Sequence, residues 1–236
     1  MNTMGVRTRN PSQPCAVLKE LLPAGVVTAE LAGEGDPALL LAGERHLLGR
    51  AAPKRVREFA AGRLCARRAV SQFGFVDFPI GVGDDRRPRW PRLLTGSITH
   101  TDGFSAAAVG GRDLFKAIGI DVEGIGRVSS DIRSQVLLQE EADWLESLPL
   151  SDQARVATLM FSAKEAFYKC QYEVTGRWLE FKDVIVKLFD WNLDRGSFAV
   201  RPLSGLNLFE RGVGPASGRF AVTGELVLTA MAIAAH

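Results

Sequence analysis

One long helical signal stands in each half of this chain, and each is tied to runs that read as antiparallel strands. The first covers about Lys54 to Phe73, entered after Pro53 and stopped by Gly74; the second covers about Ser151 to Val174, with Gly176 just beyond its end. In the second, Val156, Leu159, Met160, Ala163, Phe167, Cys170 and Val174 form one apolar stripe at helical spacing. Strand signals surround both. Leu93 to Thr101 and Phe104 to Val109 read as a hairpin turning at Asp102-Gly103, and Lys116 to Glu123 follows as a third strand. Asp183 to Leu188, Ser197 to Arg201 and Arg219 to Ala234 read as strands of the second half. The expectation is an α+β fold of two pseudo-symmetric lobes, each a small antiparallel sheet packed with a long helix. The lobes, residues 1–114 and 115–236, would meet near residues 111–118 with the functional site between them.

Between these elements the expectations are weaker in structure. Residues 1–40 read as irregular or edge structure with a frayed start. Residues 75–92, punctuated by Gly and Pro, read as largely loop. Gly124 to Val128 reads as loop, and one helical stretch runs roughly Asp131 to Leu148, stopped by Pro149.

A chain of 236 residues, 46% hydrophobic and 24% charged, has the make-up of an ordinary soluble domain with a real core. No apolar run marks a secretory signal at the start, and Leu226 to Ala235 is half of the roughly 20 residues a membrane helix needs. Cys15, Cys65 and Cys170 lie far apart without a CxxC, which points to reduced thiols and a cytoplasmic location. A monomer is expected.

Charge is unevenly placed. From Arg45 to Arg92 there are 12 Lys/Arg against 4 acids, a surplus of +8 that leaves −6 elsewhere in a chain of net charge +2. A basic part facing an acidic part suits an anionic ligand between them, whether nucleic acid or a highly phosphorylated small molecule, although a solvated basic face would look the same. On the first helix Arg63 and Arg67 fall within the stripe of Val56, Phe59, Ala60 and Val70. A buried guanidinium needs an anion or must reach the rim; Arg63, beside Phe59 and Gly62, reads as part of a phosphate pocket, and Arg67 as structural, either snorkelling or in a salt bridge to an acid across the fold.

The strongest chemical signals are Gly119-Ile120-Asp121-Val122-Glu123 and Phe161-Ser162-Ala163-Lys164-Glu165-Ala166-Phe167-Tyr168-Lys169. As a strand, the first puts Asp121 and Glu123 on one face beyond a bare Gly119, an arrangement that suits a cation held by oxygens. The second brings a third carboxylate, Glu165, between two lysines. Three carboxylates with nearby Lys suit a site for Mg²⁺ and a polyphosphate. A Lys–Glu pair on a helix is also commonly just a salt bridge. A Mg²⁺-dependent nuclease and a non-enzymatic nucleic-acid-binding module are the alternatives from charge and acid pattern alone.

Taken in order, RLCARRA, RRPRWP, GSITHT, GIDVE and FSAKEAFYK resemble the motifs of the 4′-phosphopantetheinyl transferases, over roughly residues 45–190. The resemblance is to the two-lobed class that activates siderophore, peptide and polyketide synthases, near the enterobactin-synthetase-activating branch. It implies transfer of the phosphopantetheine arm of coenzyme A to a serine of an acyl, peptidyl or aryl carrier protein, releasing 3′,5′-ADP. By that resemblance Asp121, Glu123 and Glu165 would hold Mg²⁺, and Glu165 would also act as general base, directly or through water. Lys164 and Lys169 would hold phosphates and neutralise the leaving group. Arg63 and His100 would meet the 3′-phosphate or diphosphate, and Arg87, Pro88 and Thr99 would line the nucleotide. Thr99 stands where the family commonly shows Ser, and residues 1–40 match weakly. No nucleic acid or membrane partner is implied.

Overall fold

The computed structural model describes residues 17–203 and 216–235; Cys15 and the start for which fraying is expected lie outside them. In the first lobe, strands β1 (Val27–Ala32), β4 (Leu94–Thr101) and β5 (Phe104–Gly111) form an antiparallel sheet in the order β1-β5-β4. The β4–β5 hairpin turns at Asp102-Gly103, with Gly103 at a φ of 71° that a side chain would resist. Helix α3 (Pro53–Ser71) lies across one face of this sheet. Its Cys65, Ala66, Ala69 and Val70 pack on Ile80, Leu94, Ala107 and Val109. Gly62 permits the close approach, since a Cβ there would stand 2.9 Å from Ile98 Cγ2.

Among the described residues the second lobe carries five antiparallel strands in the order β6-β10-β9-β8-β7: β6 (Phe115–Gly124), β7 (Val184–Phe189), β8 (Arg195–Pro202), β9 (Ala216–Thr223) and β10 (Leu226–Ala234). Helix α6 (Leu150–Thr175) packs its expected stripe on Val186, Phe198, Phe220, Val227 and Met231. It ends at Gly176, whose φ of 62° lets its N–H reach the Tyr172 carbonyl at 2.8 Å. Helix-on-sheet packing thus recurs in both lobes, on a three-stranded sheet in one and, among the described residues, a five-stranded sheet in the other.

The two sheets bury their remaining faces against each other. Ile118, Ile120 and Val122 of β6, with Leu228 and Ala230 of β10, meet Phe104, Ala106 and Ala108 of β5. A short helix α1 (Val17–Leu21), unforeseen in the sequence, adds Leu18 and Leu21 to this middle core. The strand β1 that follows is the edge piece anticipated for residues 1–40.

Three local expectations need correction, and the largely loop stretch 75–92 gains a detail. The helical stretch 131–148 is two helices, α4 (Ser130–Val136) and α5 (Gln139–Glu146), because Leu137 and Leu138 are extended. Burial of Leu137 and the bond from Leu138 N–H to Glu141 Oε2 (2.8 Å) restart the helix without any Gly or Pro to announce the break. The stretch Arg219–Ala234 is a hairpin, β9 and β10, turning at Gly224 with φ 57°. Within the 75–92 loop, β2 (Gly81–Val82) and β3 (Pro88–Arg89) form a two-residue ladder. Finally, the bare Gly119 serves packing: a Cβ there would fall 1.9 Å from the Ala166 carbonyl oxygen, so only glycine lets α6 lie on β6.

Where the lobes join, β6 pairs with β10 along one edge and meets β4 along the other. Here hydroxyls replace the main-chain ladder. Ser97 Oγ accepts from Ile120 N–H (3.3 Å) and Thr99 Oγ1 from Val122 N–H (3.1 Å). Two orphan donors of a buried strand edge are thereby satisfied.

Candidate active site between the lobes

A cavity of about 640 Å³ opens between α3, the β2–β3 turn, β4 and α6. Its walls carry Arg63, Arg87, Pro88, His100, Glu165 and Lys169, six of the sequence-derived candidates.

Arg63 is 6% exposed, its guanidinium lies 4.2 Å from the Phe59 ring centre, and its Nε has no hydrogen-bond partner among the described residues. Burial lowers its pKa to about 10 against the opposing pull of Glu44. An inward guanidinium held this way is a standing demand for an anion. Arg67, four residues on, is different: it pairs with buried Glu44 and donates to the Leu39 carbonyl at 2.6 Å, the structural role anticipated for it.

His100, at the exit of β4, has its Nε2 3.1 Å from Arg55 Nη1 and 3.3 Å from Glu58 Oε2. Nε2 thus faces a donor in Arg55 and an acceptor in Glu58 at once, and which of the two it engages depends on the protonation of the ring. Burial lowers the pKa of His100, Glu58 opposes, and the charges of Arg55 and Lys169 lower it further. Arg87 is fixed from three sides. Its Nε donates to Asp85 Oδ2 (2.7 Å), its Nη1 to Glu173 Oε2 (2.9 Å), and its guanidinium lies 5.1 Å over the Tyr172 ring.

On the α6 side, Asp121 is 3% exposed. Its Oδ1 accepts from Lys169 Nζ (2.6 Å) and Thr99 Oγ1 (3.2 Å), and its Oδ2 from Ser162 Oγ (2.9 Å). Burial raises the pKa of Glu123 to about 7, with Asp121 adding to the rise and Arg127 and Lys169 opposing it. Burial likewise raises Glu165, with Lys169 opposing and Asp121 reinforcing. For Lys169, burial works against the charge, but Asp121, Glu165 and Glu123 outweigh it and the pKa rises. The three carboxylates and this one lysine therefore form a single electrostatic cluster. As a donor set, three hard oxygen ligands whose negative charge one lysine only partly offsets fit a divalent cation. Their present positions do not yet make its site: among the described residues no group of three or more His, Cys, Asp or Glu stands arranged to hold a metal ion. The oxygens of Asp121 are instead taken up by Lys169, Thr99 and Ser162.

Of the other four candidates, Asp121 and Glu123 belong to the cluster around Lys169 without lining the cavity, and Lys164 and Thr99 are committed to other partners. Lys164 is wholly buried, and its Nζ donates to the Val136 carbonyl (2.8 Å), Glu141 Oε2 (2.7 Å) and the Phe181 carbonyl (2.9 Å). All three donors are engaged, so it holds α4, α5 and the segment after α6 together and has none left for a phosphate. Burial lowers its pKa, and Glu141 opposes that fall. Thr99 is 2% exposed with its hydroxyl committed to Asp121 and Val122, so it supports the acid and does not line the cavity. Conversely, Glu58, Tyr172 and Glu173 line the cavity and escaped the sequence reading. Tyr172 and Glu173 stand three and four residues beyond Lys169, on the same helix face, and that spacing is the signal that would have found them.

A family model for the 4′-phosphopantetheinyl transferase N-terminal domain matches residues 43–110, and one for the 4′-phosphopantetheinyl transferase superfamily matches residues 117–212. The chain is 36% identical over 184 residues to 4′-phosphopantetheinyl transferase Npt of Nocardia iowensis, covering 77% of this chain and 82% of that protein. It is 35% identical over 224 residues to 4′-phosphopantetheinyl transferase Svp of Streptomyces mobaraensis, covering 93% and 90%. Enterobactin synthase component D of Escherichia coli (strain K12) is 32% identical over 148 residues, covering 61% and 66%. With relatives of that name matched along most of their length, and an inter-lobe cavity built for an anion, this chain belongs to the 4′-phosphopantetheinyl transferase superfamily and is an enzyme of that kind.

Proposed function

We propose that the protein transfers the 4′-phosphopantetheine arm of coenzyme A to a serine of an acyl, peptidyl or aryl carrier protein, with Mg²⁺, and releases 3′,5′-ADP. The observation that carries this reading is Arg63, a buried guanidinium with an unpartnered Nε in a cavity whose other wall presents Glu165 and Lys169. Arg63 and His100 would take the 3′-phosphate or diphosphate, while Arg87 and Pro88 would border the nucleotide. The carrier serine hydroxyl would attack the phosphorus that bears the pantetheine arm. A new P–O bond forms there as the bond to the bridging diphosphate oxygen breaks, and 3′,5′-ADP departs with that electron pair. The serine proton would pass to Glu165, directly or through a water, and the elevated pKa of this carboxyl suits it to the task. Lys169, 30% exposed at the cavity wall, would offset charge on the departing oxygen. Mg²⁺, when bound, would supply electrostatic stabilisation of the diphosphate, and Asp121, Glu123 and Glu165 are the residues that would hold it. Because Lys169 now occupies Asp121, metal and lysine would compete for the same carboxylate.

The chain would divide at 114/115, in the short turn between β5 and β6, and the basic surplus of residues 45–92 would suit an acidic carrier. Both cavity walls come from one chain, which suits a monomer, and Cys65 and Cys170 are buried free thiols, which suits the cytoplasm. Among the described residues no helix is long and apolar enough to cross a membrane. The enterobactin-named relative favours siderophore assembly as a setting. The nuclease and nucleic-acid-module readings are not favoured, since a relative matched over 93% of the chain is named a phosphopantetheinyl transferase. The test is mass spectrometry of an apo-carrier protein incubated with the enzyme, coenzyme A and Mg²⁺. A mass gain of one phosphopantetheine arm, lost on adding a chelator, is expected; no gain with any class of carrier would defeat the reading.

A further inference from the structure

Glu173 lies near the end of α6, beyond the residues given a chemical role above. Its side chain is 17% exposed, and its two oxygens are divided between two arginines of the other lobe. Oε2 accepts from Arg87 Nη1 at 2.9 Å, and Oε1 accepts from Arg112 Nη2 at 2.6 Å. Arg112 sits in the turn between β5 and β6, and Arg87 in the turn between β2 and β3. One carboxylate thus ties the second lobe's long helix to two separate turns next to the first lobe's sheet.

The turn that carries Arg87 is itself tightly made. Gly83 N–H donates to the Arg87 carbonyl (2.8 Å), Arg86 N–H to the Gly83 carbonyl (2.9 Å), and Arg87 N–H to Asp85 Oδ1 (3.2 Å). Arg86 holds a φ of 66°, a left-handed conformation that a non-glycine residue keeps only when its surroundings impose it. The backbone of Arg87 is therefore fixed, but its side chain is long and 40% exposed, so main-chain order alone does not aim the guanidinium. Asp85 on Nε, Glu173 on Nη1 and the Tyr172 ring against its face do so. Among the described residues Nη2 has no hydrogen bond, which leaves that edge for an acceptor on a ligand.

We propose that Glu173 is a positioning residue for coenzyme A binding, acting by aiming the free edge of Arg87 into the inter-lobe cavity while clamping the two lobes. This rests on the transferase reading of the cavity. Glu173 touches no substrate in this assignment, and Arg112, which does not line the cavity, serves only as its second anchor.

The test is steady-state transfer to an apo-carrier protein with coenzyme A varied. Loss of one charge-assisted bond to Arg87 should raise the KM for coenzyme A about tenfold in Glu173→Gln, with kcat within about twofold of the original. The decisive comparison is a double-mutant cycle. If Glu173 acts through Arg87, Glu173→Gln added to Arg87→Ala should raise KM no further than Arg87→Ala alone. Multiplying effects, or a fall in kcat at unchanged KM, would overturn the proposal. Should Glu173→Gln fail to fold, Glu173→Asp keeps the charge but shortens the reach, and the same dependence on Arg87 is expected of it. A parent enzyme that transfers nothing would instead refute the transferase reading.

Discussion

The Thr99 hydroxyl donates to Asp121 Oδ1 at 3.2 Å while accepting from Val122 N–H at 3.1 Å, so one side chain of the first lobe serves both an acid and a backbone donor of the second. With Ser97 doing the same for Ile120 N–H, the seam between the lobes is sealed by hydroxyls at i and i+2 of a single strand. The acid that the reaction is proposed to need is thereby built into the joint that holds the protein together.

Thr99→Val keeps the shape of the side chain and removes its hydrogen bonds, orphaning the buried Val122 N–H. Chemical denaturation should show a loss of about 1–3 kcal/mol, and Thr99→Ser should restore most of it. A Thr99→Val protein as stable as the parent would mean that the seam does not depend on this hydroxyl.

Asp121→Asn and Glu165→Gln should each slow carrier loading by about a hundredfold or more while leaving the protein folded. Amides are chosen because alanine at position 121 would leave the Thr99, Ser162 and Lys169 donors facing a void. Mass spectrometry of the carrier over time reads the rate. Loading by either variant near the original rate would remove that residue from the chemistry.

Arg63→Met deletes a buried cation whose Nε lacks a partner, so the variant should be more stable than the parent by about 1 kcal/mol. Its KM should nonetheless rise, and rise more for coenzyme A than for dephospho-coenzyme A, which lacks the 3′-phosphate. An equal change for the two substrates would assign Arg63 to some other part of the ligand. Opposite signs in stability and affinity would identify Arg63 as a residue kept for binding.

A different acid governs an expected pH effect. Glu30 on β1 has one oxygen accepting from Leu18 N–H (3.3 Å) and the other buried without a partner among the described residues, and burial raises its pKa from 4.5 to about 7 against the pull of that N–H. Between those two values the folded chain holds the proton more tightly than the unfolded chain, so this group's contribution falls as pH rises through the window. Melting experiments from pH 4.5 to 8 should show that decline, worth about 1 kcal/mol once partial exposure is allowed for. Glu30→Gln should make it shallower, with Glu123 keeping its own share of the slope. An unchanged slope in the variant would place the titration elsewhere.

The long helices were legible in the sequence because their evidence is local. A stripe such as Val156, Met160, Ala163, Phe167 and Cys170 follows from the helical repeat, and Gly176 marks the stop by its tolerance of positive φ. The β6 alternation was equally plain, and it correctly put Asp121 and Glu123 on the face opposite Ile118, Ile120 and Val122. The break at Leu137-Leu138 was not legible, because it depends on Glu141 turning back to cap the second helix and on a buried leucine, not on a Gly or Pro.

Sequence by itself therefore determined the two helix-and-sheet lobes, the family, and the stretches where the chemistry resides. Tertiary structure alone decided which side chains of those stretches face the cavity. Lys164 and Lys169 share a motif and a helix, yet one is spent on Glu141 and two carbonyls and the other stands beside Asp121 at the cavity wall. The physical reason is that helical periodicity fixes a residue's angle about its own axis. The partner found at that angle, whether Glu141 for Lys164 or Arg87 for Glu173, arrives from a segment 23 or 86 residues away.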